Sequence, residues 1–314
     1  IVGVGGSMLL LGFAHNYWMA MVSLILLSMT ITFWHPPAIA ALSARYADRR
    51  GFAIAMHGMG GNIGEAVGPI LTGFLIGFML WRDVLKLSFI PALVIGVGIY
   101  VLLRTIPSRS GSTSGREYFG GVKAALRNKN LLLVLTSTAF FSGSQIAIMS
   151  FLPIYAREDL ALSTVATGAL VSLLQVAGIA SSPVLGYFSD QLGRRVVLLL
   201  GFGGLVLGSL MLFLTGDGPL FYLAIAVTGL FLFPMMSILL AAAMDVVGDG
   251  VQGTTVSLVF GVAIILAAGS GWLAGRVADI YGVDAVFLYA SVPAGTAFIL
   301  SLFGSKRGTV LNKR

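Results

Sequence analysis

An all-helical integral membrane fold is predicted by three observations on this 314-residue chain. Hydrophobic residues make up 57% of it and charged residues only 10%, against roughly 25% charged in a soluble domain. The apolar residues are gathered into ten long runs, and the mean hydropathy is +0.97. Most of the 19 basic residues fall in alternate breaks between those runs. An ordinary soluble enzyme is excluded, because one core cannot hide so much apolar surface. With no cysteine in the chain, disulfides, iron–sulfur clusters and thiolate zinc sites are excluded too.

The runs span residues 1–14, 18–36, 52–78, 84–103, 131–156, 165–185, 196–215, 220–243, 254–274 and 285–303. All but the first approach or exceed the length that crosses ~30 Å of hydrocarbon at ~1.5 Å per residue. The first covers only ~21 Å. With Ile1 in place of a methionine, it reads as a helix cut at its start. A secretory signal does not fit, since no basic segment precedes the run. Because the runs are continuous rather than alternating, helices are expected instead of a barrel.

Successive breaks then lie on opposite sides of the bilayer. One set holds Arg45, Arg49, Arg50, Arg104, Arg109, Arg116, Lys123, Arg127, Lys129, Arg194, Arg195, Lys306, Arg307, Lys313 and Arg314. The other set holds Arg82, Lys86, Arg157 and Arg276. The positive-inside rule assigns the first set to the cytoplasm, which makes the linker and the C-terminus cytoplasmic. The net charge of +7 is thus a topology signal, and no nucleic-acid partner is expected.

The longest break, residues 104–130, opens with a Gly/Ser-rich stretch at 108–115, a flexible-linker composition. Within residues 118–130, Val122, Ala125 and Leu126 fall on one helical face among basic residues. A short amphipathic helix on the membrane surface is expected there. The domains expected are 1–104 (four helices of an incomplete bundle), 105–130 (linker), 131–304 (six helices) and 305–314 (tail). An internal repeat supports the division. At a shift of 202 residues, Gly6-Ser7 falls on Gly208-Ser209, Gly51 on Gly253, Gly73 on Gly275, and Pro91-Ala92 on Pro293-Ala294. If each bundle has six helices, ten of twelve transmembrane helices are present. Roughly seventy residues are then expected upstream of Ile1.

Three sets of residues carry candidate chemistry. The loop Gly186-x-x-x-Asp190-x-x-Gly193-Arg194-Arg195 lies on the basic side. Its glycines permit a tight turn, and Asp190 can accept from exposed helix-end amides. The alternative is a plain topogenic loop. In the third run, Gly61, Gly64 and Gly68 share one helical face, with Pro69 and Gly73 following. Such a face permits close helix packing. The same run carries Glu65, the only acid deep within any span, with Asn62 three residues earlier on roughly the same face. Acids at such depth mark ion or proton pathways, so Glu65 and Asn62 are the proton-coupling candidates. A neutral acid that ties two helices together is the alternative. Finally, His35, His57, Gln145 and Gln175 are polar groups at membrane depth, able to line a substrate cavity or to join helices.

Other signals fail. Gly248-x-Gly250-x-x-Gly253 lacks the βαβ context of a dinucleotide site. His15, His35 and His57 lack zinc-type spacing, and no Walker A sequence occurs. No cofactor, metal or catalytic residue is expected.

The Gly186–Arg195 pattern resembles the loop signature of the major facilitator superfamily, where it helps control switching between inward- and outward-open states. Gly64-x-x-x-Gly68-Pro69 resembles the antiporter motif in the fifth helix of that superfamily's exporters. Trp34-His35-Pro36, ahead of Gly60-Gly61-Asn62 and Gly68-Pro69, is similar to its fosmidomycin-resistance branch, with Pro37 and Glu65 as departures. The resemblance implies a major-facilitator-type two-bundle fold and a monomeric multi-pass protein of the cell inner membrane. It implies alternating access by a drug-resistance efflux antiporter, with a small-molecule substrate, protons and the lipid bilayer as partners. Proton-coupled uptake and a non-transporting sensor are the alternatives.

Overall fold

The computed structural model describes residues 1–34, 50–104, 120, 123, 127–216, 218–247 and 252–304. Among them the chain forms α1 (Val2–Gly12), α2 (Tyr17–Thr32), α3 (Arg50–Ile76), α4 (Trp81–Leu87), α5 (Phe89–Leu103) and α6 (Lys129–Glu158). It continues with α7 (Thr164–Leu192), α8 (Arg194–Thr215), α9 (Pro219–Leu232), α10 (Pro234–Asp245), α11 (Gln252–Tyr281) and α12 (Ala285–Leu302). Each of the ten expected runs overlaps at least one of these helices. Seven stretches among the described residues are long and apolar enough to cross a bilayer, and Val2–Gly12, Tyr17–Thr32 and Ile63–Ile76 are shorter apolar helices. Two crossings are broken, at Ser88 between α4 and α5 and at Phe233-Pro234 between α9 and α10. His35, the linker stretch 105–119, most of the expected amphipathic helix and residues 248–251 lie outside the described residues.

The chain divides into two compact units, Ile1–Ser112 and Thr113–Arg314. In the first, α1 packs against α2, α4 and α5. Apolar side chains gain little by leaving lipid for one another, so helix association relies on close approach of small residues. At Gly5, a Cβ would come within 2.5 Å of the Ala92 Cβ. The carboxyl end of α1 is held from α4: Arg82 donates to the Ala14 carbonyl at 3.4 Å, and the Lys86 ammonium lies 4.8 Å from the centre of the Phe13 ring. Asn16 starts α2, its Oδ1 accepting from Met19 N at 2.9 Å.

In the second unit, α6 packs on α11 and α12, α8 on α12 and α9, and α9 on α7. The core is aromatic. Tyr155 stacks between Phe221 and Phe287, with ring centres 5.5 and 5.3 Å away, and Phe141 faces Phe202 at 6.0 Å. The α7–α9 crossing depends on Gly229, where a Cβ would lie 2.0 Å from the Leu174 carbonyl oxygen. Asn128 begins α6 by accepting from Asn130 N and Leu131 N, while its Nδ2 donates to the Val246 carbonyl at 2.8 Å. That bond ties the start of α6 to the end of α10. Ser163 caps α7 through Ala166 N.

Candidate functional site

The conformational-switch candidate differs from a loop. Gly186 through Leu192 continue α7, and the chain reverses at Gly193 alone, with φ +90° and ψ 146°. Only glycine adopts this backbone region readily. The helix persists because Tyr187-Phe-Ser-Asp-Gln-Leu192 contains no breaker. One glycine then places Arg194 at the first position of α8, one turn from Asp190. Arg194 pairs with Asp190 through Nη1, and its Nε lies 3.0 Å from Asp245 Oδ2 at the end of α10. Nη1 also donates to Ser189 Oγ at 2.6 Å. Asp190 therefore engages this arginine rather than the exposed amides of a neighbouring helix. Arg195 turns to α12 and donates to the Leu302 carbonyl. The ends of α7, α8 and α10 are thus joined by one guanidinium, whose planar fork suits two carboxylates. Sequence reasoning missed Asp245. Its signal was an acid at the basic-side end of the run 220–243, but its partner is 51 residues distant.

Glu65 is the sixteenth residue of the 27-residue α3, so ~22 Å of helix precede it. It is exposed, as are Ile63 and Val67 beside it. A Cβ at Gly61, Gly64 or Gly68 would meet nothing within 4 Å, so that face has no close neighbour among the described residues. Gly73, one turn beyond Pro69, is buried. His57 and Asn62 belong to α3, but their side chains lie outside the described ones. The two proton-coupling candidates therefore share a helix, with no side-chain contact assigned.

Gln145 and Gln175 lie on α6 and α7 of the second unit. Gln145 is half-buried, whereas Gln175 is 4% exposed and its Oε1 has no hydrogen-bond partner among the described residues. The hydroxyls of Ser142 and Ser144 on α6, and of Thr167 and Ser172 on α7, are also buried without partners among the described residues. Buried polar groups are ordinarily satisfied, so these two helices carry unused hydrogen-bonding capacity. Ser270 on α11 is satisfied: it donates to the Gly143 carbonyl at 2.8 Å and accepts from the Tyr289 hydroxyl at 2.8 Å. Among the described residues, no group of three His, Asp or Glu could hold a metal ion.

Residues 1–267 match the profile of the Major Facilitator Superfamily. The multidrug resistance protein MdtG of Escherichia coli strain SMS-3-5 is 31% identical over 208 residues, which is 63% of this chain and 49% of that protein. MdtG of strain K12 / DH10B aligns with the same identity and coverage. The chain spans about half the length of the curated relatives it matches. Among solved structures, a variant of the E. coli fucose:proton symporter FucP superposes with a TM-score of 0.68 at 14% identity, covering 97% of this chain and 81% of that one. A bacterial homologue of the iron transporter ferroportin, in an inward-facing state, gives 0.66 at 18% identity, with 96% and 80% covered.

Proposed function

Because the chain belongs to the major facilitator superfamily, a family of membrane transporters rather than enzymes, we propose that it exports a small organic compound by proton-coupled alternating access. The observation that carries export is the 31% identity to a multidrug resistance protein over 208 residues. The likeness to a fucose:proton symporter is at 14% identity and bears on the fold alone, so export is preferred to uptake.

Glu65 is the proton carrier in this reading. An acid mid-helix is too deep to reach water by snorkelling, so it ionises only when a cavity opens to it. Asn62, three residues earlier, lies on roughly the same face and is suited to bond the protonated form. Gln145 and Gln175, with His35 and His57, supply polar contacts to substrate. The buried Gln175 Oε1, without a partner among the described residues, favours a ligand that returns its hydrogen bond. The Asp190–Arg194–Asp245 bridge holds one arrangement of α7, α8 and α10, and its rupture accompanies the switch. The protein works as a monomer in the inner membrane, with the basic breaks and the C-terminus in the cytoplasm.

Everted membrane vesicles from cells expressing the native protein test this. An imposed proton gradient, acid inside, should drive accumulation of the exported compound, and a protonophore should abolish it. Gradient-driven movement in the opposite direction would establish uptake, and gradient-independent flux would remove the proton from the mechanism. No flux of any candidate compound above that of control vesicles would leave the sensor reading in its place.

A further inference from the structure

A cavity of about 460 Å³ lies within the second unit, at the end where α7 turns into α8. Its size falls in the range of small-molecule sites, about 300–1,000 Å³. The walls are mainly aliphatic, with Leu133, Leu198, Leu239 and Leu300 among them, and Arg194, Arg195 and Asp245 also line it.

Two groups in this lining are unused. Ser137 on α6 is 3% exposed and makes no hydrogen bond to a described residue. Its neighbours Thr136 and Thr138 satisfy their hydroxyls on the carbonyls of Leu132 and Val134, one turn back. Arg195 is the second. Arg194 already holds two carboxylates, Asp190 and Asp245. Among the described residues Arg195 has no carboxylate in ion-pair range, and its contact is the Leu302 carbonyl. A guanidinium has five N–H donors, so most of its capacity remains.

From a cationic fork, an aliphatic wall and a deep free hydroxyl in one cavity, we infer that it binds the phosphate of an anionic glycerophospholipid. The phosphate pairs with Arg195, an acyl chain lies along the leucines, and Ser137 donates to an ester oxygen. An arginine matches a phosphate in two parallel hydrogen bonds, and basic pockets between membrane helices are suited to lipid headgroups. Among the described residues, the two acids near the mouth, Asp190 and Asp245, are both held by Arg194, which favours an anionic headgroup over a cationic one.

Native mass spectrometry of the purified chain counts retained lipids directly. With dioleoyl-phosphatidylglycerol, one molecule should be held saturably, about tenfold more strongly than dioleoyl-phosphatidylcholine. Arg195→Gln should lower phosphatidylglycerol retention by about tenfold, the worth of one charge-assisted contact. Ala242→Phe, which fills the cavity without touching a charge, should lower it as well. Raising salt on the unaltered chain should weaken retention, a readout that needs no variant to fold. Equal retention of the two lipids would overturn the site, as would indifference to salt or to both substitutions. Displacement by millimolar inorganic phosphate would assign the cavity to a free anion instead.

Discussion

Arg194 and Asp245, 51 residues apart in sequence, meet at 3.0 Å and join the start of α8 to the end of α10. Asp190, one turn before Arg194, completes the bridge. Both acids are exposed to solvent, Asp190 more than Asp245, so the bridge is a weak tie. It suits an element that must open rather than one that bears the fold.

Asp245→Asn should therefore cost little stability, about 0.2–1 kcal/mol as for exposed ion pairs. A double-mutant cycle with Arg194→Gln should return a coupling in that range at low salt, falling as salt screens the charges. Thermal unfolding at two salt concentrations measures it. A coupling of several kcal/mol would make this pair a structural lock.

Gly193→Ala tests the reversal between α7 and α8. A side chain at φ +90° is strained, at a cost of about 1–3 kcal/mol. Gly186→Ala, seven residues earlier within α7 with open space around it, should be neutral or stabilise by up to about 1 kcal/mol. Equal thermal midpoints for the two variants would contradict the single-residue turn.

Gly229→Ala should destabilise the second unit. Its Cβ would lie 2.0 Å from the Leu174 carbonyl oxygen, and that backbone atom cannot swing away. Overpacking of this kind costs about 1–3 kcal/mol, occasionally more. Gly203→Ala on α8, whose nearest neighbour would be Phe298 at 3.5 Å, is the control. Thermal midpoints should drop for the first and hold for the second.

Outside the spans, burial and then the charges of Asp284 and Glu158 hold the Asp159 carboxyl above the usual carboxylate range. The folded chain thus binds this proton more tightly than the unfolded one. Stability should fall as pH rises from the ordinary aspartate range through the elevated value, then level off. Asp159→Asn should flatten that part of the profile and leave the protein more stable above it. Thermal midpoints across mildly acidic pH check the sign.

The helices were legible because lipid demands long apolar runs, and 57% hydrophobic content leaves few other ways to fold. The ends of elements were less so. Residues 186–192 read as a loop because two glycines bracket them, yet Gly186 accepts a helical backbone and only Gly193 turns. The glycines in tight contact are also not the motif-like ones. Gly61, Gly64 and Gly68 meet no described residue closely, whereas Gly5 and Gly229 lie against other helices. Whether a glycine matters depends on which helix crosses it, and periodicity carries no such information. Asp245 was hidden by distance along the chain. The Ser137 hydroxyl, which bonds to no described residue, was hidden among serines and threonines that bond to their own helix.

Coupling through Glu65 is the central claim, and Glu65→Gln in the native protein tests it most directly. Glutamine keeps the hydrogen bonding and shape but cannot release a proton. Proton-gradient-driven flux should collapse in vesicles while binding of the transported compound persists at its native affinity. Flux driven by the gradient at the native rate, in a correctly inserted Glu65→Gln protein, would contradict the account.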